Sequence, residues 1–173
     1  MNSLSAQCET STRHSAKRDR FLILGLGNTL LGDDGAGVRV VKDLQIKNGM
    51  PVGTRLLDGG TLSFSLLQDI EDADVLIVVD AAQLGEAAGT VQVFKDQAMD
   101  DFLRNKPGSS VHEVSLLELL DMARLSDRLP EKRAFVGIQP ERIDWSTDVS
   151  EPVAEGLETA GIHVRALIAR FSM

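Results

Sequence analysis

Two unbroken apolar runs constrain this chain more than any other feature. Phe21–Leu24 (FLIL) ends in a glycine, and Val75–Val79 (VLIVV) ends in Asp80. A strand without polar alternation must be covered on both faces, which is the condition of parallel strands lying between helices. Thr54–Leu57 and KRAFVGIQP from Lys132 read as further strands. Between them stand segments of helical period: Val38, Val41 and Leu44 in one, and Phe64, Leu67 and Ile70 in the next. Glu113–Leu125 offers a broad apolar face through Val114, Leu116, Leu117, Leu119, Leu120 and Ala123. A last helix opens at Ser150 and Pro152, with a stripe of Val153, Leu157, Ala160, Val164, Leu167, Ile168 and Phe171.

VLIVV, the clearest strand, is expected at the sheet centre. TVQVFK, from Thr90, follows it after only Ala82–Gly89, shorter than the dozen or so residues of a parallel crossover, so it should run antiparallel. The pattern predicts an α/β fold: a three-layer α/β/α sandwich around a mostly parallel, mixed sheet of about five strands. In such sheets ligands bind outside the carboxyl ends of the strands.

A length of 173 residues suits one domain, expected over residues 21–173. Residues 1–20, MNSLSAQCETSTRHSAKRDR, are polar and read as a disordered extension, without the apolar stretch of a secretory signal. No apolar run approaches the ~20 residues of a membrane span. The net charge of −8 argues against nucleic acid, whose binding depends on clustered Lys and Arg. The lone cysteine, Cys8, allows neither an internal disulfide nor a cysteine metal cluster, which fits a reducing compartment. A soluble, cytoplasmic and monomeric protein is expected.

The turn after the first strand, GLGNTLLGDDG, begins like a dinucleotide fingerprint, yet Leu30 stands where the third glycine belongs. Asp33 and Asp34 would repel a pyrophosphate from the same turn. Asp58, ending the second strand, is the one feature that favours a nucleotide. The plainer reading makes Asp33 and Asp34 helix-capping acids. Asp80 also ends a strand, however, and His112 opens the long helix after Ser109–Val111. Three loops thereby deliver two carboxylates and an imidazole to one end of the sheet. Such a donor set suits a borderline first-row divalent metal with an open position, although each residue alone has a capping role available. Covalent hydrolysis lacks a candidate, because no G-x-S-x-G elbow occurs and the cysteine lies in the extension.

Five motifs in order resemble the maturation endopeptidases of nickel-iron hydrogenases: ILGLGNTLLGDDGAGVRVV, LLDGGT (Leu56–Thr61), ADVLIVVDA, SSVHEVSLLELL and FVGIQPERIDW (Phe135–Trp145). The resemblance covers the chain from Phe21 onward. It implies a twisted mixed sheet and a cytoplasmic protease that removes a C-terminal extension from the hydrogenase large-subunit precursor once nickel has been inserted. Nickel, carried by the substrate, is the implied recognition signal, and Asp34, Asp80 and His112 hold the family's metal-contacting positions. Some members have Glu at the first position, so Asp34 reaches one methylene less. Asp58 is implied to contact the precursor, with a turn-forming role equally open, and Asp33 to orient the turn. A peptidyl-tRNA hydrolase also begins GLGN but continues with Pro-Gly and needs a basic surface. Two alternatives remain: a dinucleotide-binding domain, and a non-catalytic chaperone that checks for nickel.

Overall fold

A computed structural model of the protein describes residues 20–47, 49–61, 64–105 and 111–173, the side chains of residues 111–114 excepted. Of the expected N-terminal extension only Arg20 falls among them. Its N–H donates to Asp74 Oδ2 at 2.9 Å, and its carbonyl accepts from the N–H groups of Asp74 and Val75. Arg20 is thus bonded to the start of β3 and belongs with the domain.

Five strands form one sheet: β1 (Phe21–Leu26), β2 (Thr54–Gly60), β3 (Val75–Ala81), β4 (Val91–Lys95) and β5 (Lys132–Ile138), in the order β2-β1-β3-β5-β4. β1 pairs in parallel with β2 and β3, and β3 with β5, while β4 runs antiparallel to β5. VLIVV is thus the central strand and TVQVFK the antiparallel one, as the sequence predicts. Alternate side chains of β1 divide between two cores. Phe21 and Ile23 face α1 (Ala36–Lys47) and α5 (Glu151–Phe171), meeting Val40, Val41, Leu44, Val164 and Ile168. Leu22, Leu24 and Leu26 face α2 (Leu67–Glu71), α3 (Gln97–Asn105) and α4 (Val111–Leu125), meeting Ile70, Met99, Leu116 and Leu120. These are the three layers.

Four local expectations need correction. β2 runs on to Gly60, so Asp58 lies inside the strand, where the register slips between Gly25↔Asp58 and Leu26↔Gly60. The second helix opens with a 3-10 turn, Phe64–Leu66, before the short α2. The tighter winding rotates the apolar face, burying Leu66 and Ile70 while Phe64 stays exposed. α3 was not expected; its Met99 and Leu103 are buried beside Asp100, and Phe102 packs against the same core. α4 starts at Val111, which puts His112 in its first turn instead of the preceding loop. Among the described residues no helix is long and apolar enough to cross a membrane.

Candidate active site

β1 leaves the sheet through Gly27, whose φ of 121° is open to glycine and strained for other residues. A Cβ there would fall 1.8 Å from the carbonyl oxygen of Asp34. The chain then makes a 3-10 turn, Gly32–Gly35, that carries Asp33 and Asp34 directly into α1. The start of α1 lies against the sheet with no side chain between. A Cβ on Gly37 would stand 2.0 Å from the Val79 carbonyl oxygen and 2.6 Å from that of Leu26. A Cβ on Gly25 would stand 2.4 Å from the Gly37 carbonyl oxygen. This crossing presses the acidic turn onto the carboxyl ends of β1 and β3, where Asp80 is the last residue but one of β3. Asp34 is 7% exposed and Asp80 fully buried.

α4 leads back to β5, which is parallel to β3. Its fifteen residues span about 22 Å at 1.5 Å per residue, so its first turn lies at the carboxyl edge of the sheet. His112 is brought to that edge on its backbone; its side chain is outside the described residues. Among the described residues no three metal-ligating side chains converge.

The two neighbouring acids face different partners. Asp34 Oδ2 accepts from the N–H of Asn28 at 2.8 Å, so its own turn orients it. That amide is one a bound pyrophosphate would need, and Asp34 occupies it. Asp33 turns toward the segment after β5. It accepts from the N–H groups of Glu141 (2.9 Å), Arg142 (3.1 Å) and Ser150 (2.6 Å), and from Ser150 Oγ (2.9 Å). Burial on its own would raise the Asp33 pKa, but the donated hydrogen bonds from Ser150, Arg142 and Glu141 outweigh it and hold the carboxyl below its ordinary value. The expected orienting role of Asp33 is thus extended to a tether over more than a hundred residues of sequence.

Asp58 has both oxygens engaged, Oδ1 by the N–H of Gly60 at 3.0 Å and Oδ2 by Lys42 Nζ at 3.1 Å. These contacts fit a turn-forming acid. Gln139, which sequence reasoning passed over, closes the far side. Its Oε1 accepts from the N–H groups of Leu84 (2.6 Å) and Gly85 (3.1 Å), and its Nε2 donates to Gln83 Oε1 (2.9 Å) and the Pro140 carbonyl (3.1 Å). Gln139 thereby fixes the loop that follows Asp80. The signal was its place in FVGIQPERIDW, a motif already singled out.

Comparison with known proteins agrees with this architecture. The profile of the hydrogenase maturation protease family matches residues 38–164. The hydrogenase expression/formation protein HoxM of Azotobacter vinelandii is 39% identical over 141 residues, covering 81% of this chain and 68% of its own. The hydrogenase 2 maturation protease of Escherichia coli K12 is 34% identical over 142 residues, 82% of this chain and 85% of its own. The solved hydrogenase maturating endopeptidase HybD of Escherichia coli superposes with a TM-score of 0.82 at 33% identity, covering 87% of this chain and 93% of that one.

Proposed function

Since this chain belongs to the hydrogenase maturation protease family, we propose that it removes the C-terminal extension of a nickel-iron hydrogenase large-subunit precursor, using the inserted nickel as the recognition signal. The observation that carries this reading is the pressing of the Asp34 turn onto the end of β3 beside Asp80, at a crossing that admits only glycine. Two carboxylates are thereby held at the edge to which α4 brings His112.

Oxygen and nitrogen donors of this kind fit a borderline divalent ion, and two carboxylates with one imidazole leave its coordination incomplete. The precursor supplies the nickel. Asp34, Asp80 and His112 contact it and so hold the scissile bond at the sheet edge. Hydrolysis then needs a base for the attacking water, which an aspartate of the pair provides. The water oxygen bonds to the scissile carbonyl carbon, its proton passes through the carboxylate to the leaving nitrogen, and the C–N bond breaks. Asp58, paired with Lys42, serves the turn that ends β2.

The test is incubation with purified nickel-loaded and nickel-free precursor, read by mass spectrometry. The loaded form should be shortened and the nickel-free form left intact, while the enzyme purified without added metal carries little nickel. Efficient cleavage of rigorously nickel-free precursor overturns nickel recognition. His112→Ala should melt like the parent and process poorly; normal processing at low enzyme concentration removes His112 from the site. Retention of the loaded precursor uncut would favour the chaperone alternative.

A further inference from the structure

The edge that carries Asp34 and Asp80 is bordered by exposed apolar side chains. Among the described residues the two exposed aromatic side chains, Phe64 (67%) and Trp145 (84%), stand on segments that follow carboxyl ends of strands, Phe64 in the 3-10 turn after β2, and so do Leu30 (53%) and Ile143 (50%). Scattered surface hydrophobes are ordinary, and Leu125 and Ile162 are examples elsewhere on this protein; Leu30, Ile143 and Trp145 differ in standing on two segments hydrogen-bonded to each other at the carboxyl edge of the sheet.

These side chains stand on a braced platform. The N–H of Gly32 donates to the Ser146 carbonyl at 2.8 Å, and the N–H of Ser146 to the Leu30 carbonyl at 3.1 Å. The resulting bridge, Leu31↔Ser146, stitches the Trp145 segment to the acidic turn. Asp33 holds the same segment at both ends, at Glu141 and Arg142 and again at Ser150. Arg142 lies 3.7 Å from Glu141 Oε2 and 3.4 Å from Asp144 Oδ2, so the charges around Ile143 are paired locally.

We propose that Leu30, Ile143 and Trp145, with Phe64 farther along the edge, form a docking surface for apolar side chains of the precursor next to its scissile bond. The occupant is the precursor because the platform is hydrogen-bonded to the turn bearing Asp34, so a chain that reaches Asp34 lies across it. This inference rests on the reading that the protein processes a hydrogenase precursor. Exposed tryptophan set among apolar neighbours is the residue type that most often dominates such contacts.

The sequence has one tryptophan, so protein grown with 5-fluorotryptophan has one 19F resonance, that of Trp145. Titration with nickel-loaded precursor should shift or broaden it. Trp145→Ser and Ile143→Ser should each raise KM about tenfold with little change in melting temperature. Val52→Ser, at a 76% exposed valine on the opposite edge of the sheet, should leave KM unchanged. Normal cleavage with a static resonance and unchanged KM in the Trp145 and Ile143 variants overturns the docking surface and leaves the protease reading standing. A resonance that moves without cleavage upholds docking and overturns the protease reading. Neither cleavage nor movement overturns both.

Discussion

Two adjacent aspartates in one 3-10 turn have separate duties, and the difference comes from which way each side chain leaves the backbone. Asp33 reaches across to four donors that lie far downstream in sequence, so its role was invisible to local pattern; its position beside Asp34 was visible, its partners were not. Asp33→Asn keeps the shape but offers one acceptor oxygen in place of a charged pair, and should destabilise the protein by about 2 kcal/mol in urea unfolding at pH 7. The Asp33 pKa is lowered in the folded state. Its stabilising contribution is therefore complete above the unfolded value of about 4 and is lost as pH falls through the lower folded value. The gap between parent and variant should narrow correspondingly below about pH 4; a gap independent of pH would show that charge is not what the loop needs. Asp80, by contrast, stood out in sequence as an acid closing an apolar strand, with a capping role equally open to it. Asp80→Asn should process nickel-loaded precursor at least about a hundredfold more slowly while melting close to the parent. Undiminished cleavage would make Asp80 a structural residue.

Elements were legible where one period ran long enough to be counted. β1, β3 and α5 follow from unbroken apolar runs or a seven-residue stripe, whereas α2 is too short to hold a period and its 3-10 start moved the buried face. α3 is short, and a buried carboxylate shares its inner face with Met99 and Leu103. Asp100, 3% exposed, accepts from Arg124 Nη2 at 2.7 Å on α4 and from Arg133 Nη2 at 2.8 Å on β5. The helical spacing of Met99, Phe102 and Leu103 was there to be counted, but the two adjacent acids, Asp100 and Asp101, interrupted it. Asp100→Ala takes the carboxylate from the largely buried Arg133, while Arg124 keeps Asp121 and solvent, and should cost about 2 kcal/mol, measurable by chemical denaturation; a cost below about 1 kcal/mol would mean that Arg133 finds water instead. The crossing of α1 over the sheet is less forgiving. Gly37→Ala drives a methyl group into two backbone carbonyls, so it should lower soluble yield or cost more than about 3 kcal/mol. A parent-like melt would show that α1 can lift from the sheet.

At the scale of the whole molecule, the three-layer plan and the antiparallel edge strand were readable because strand composition and connection length fix them. The insertion of β5 between β3 and β4 was not, since strand order depends on contacts remote in sequence. Arg20 is bonded to Asp74, and the family motifs all follow it in sequence. A chain starting at Asp19 should accordingly melt within a few degrees of the full protein by calorimetry; insoluble or unfolded product would mean that the earlier residues pack on the domain. The same strand order sets a timetable during synthesis. β4 leaves the ribosome before the strand it pairs with, and the donors that anchor Asp33 come 108, 109 and 117 positions after it. A nascent fragment that ends soon after His112 still lacks the brace for its acidic turn, which is complete only once Ser150 has been added, so the turn that carries Asp34 takes its final form late in synthesis.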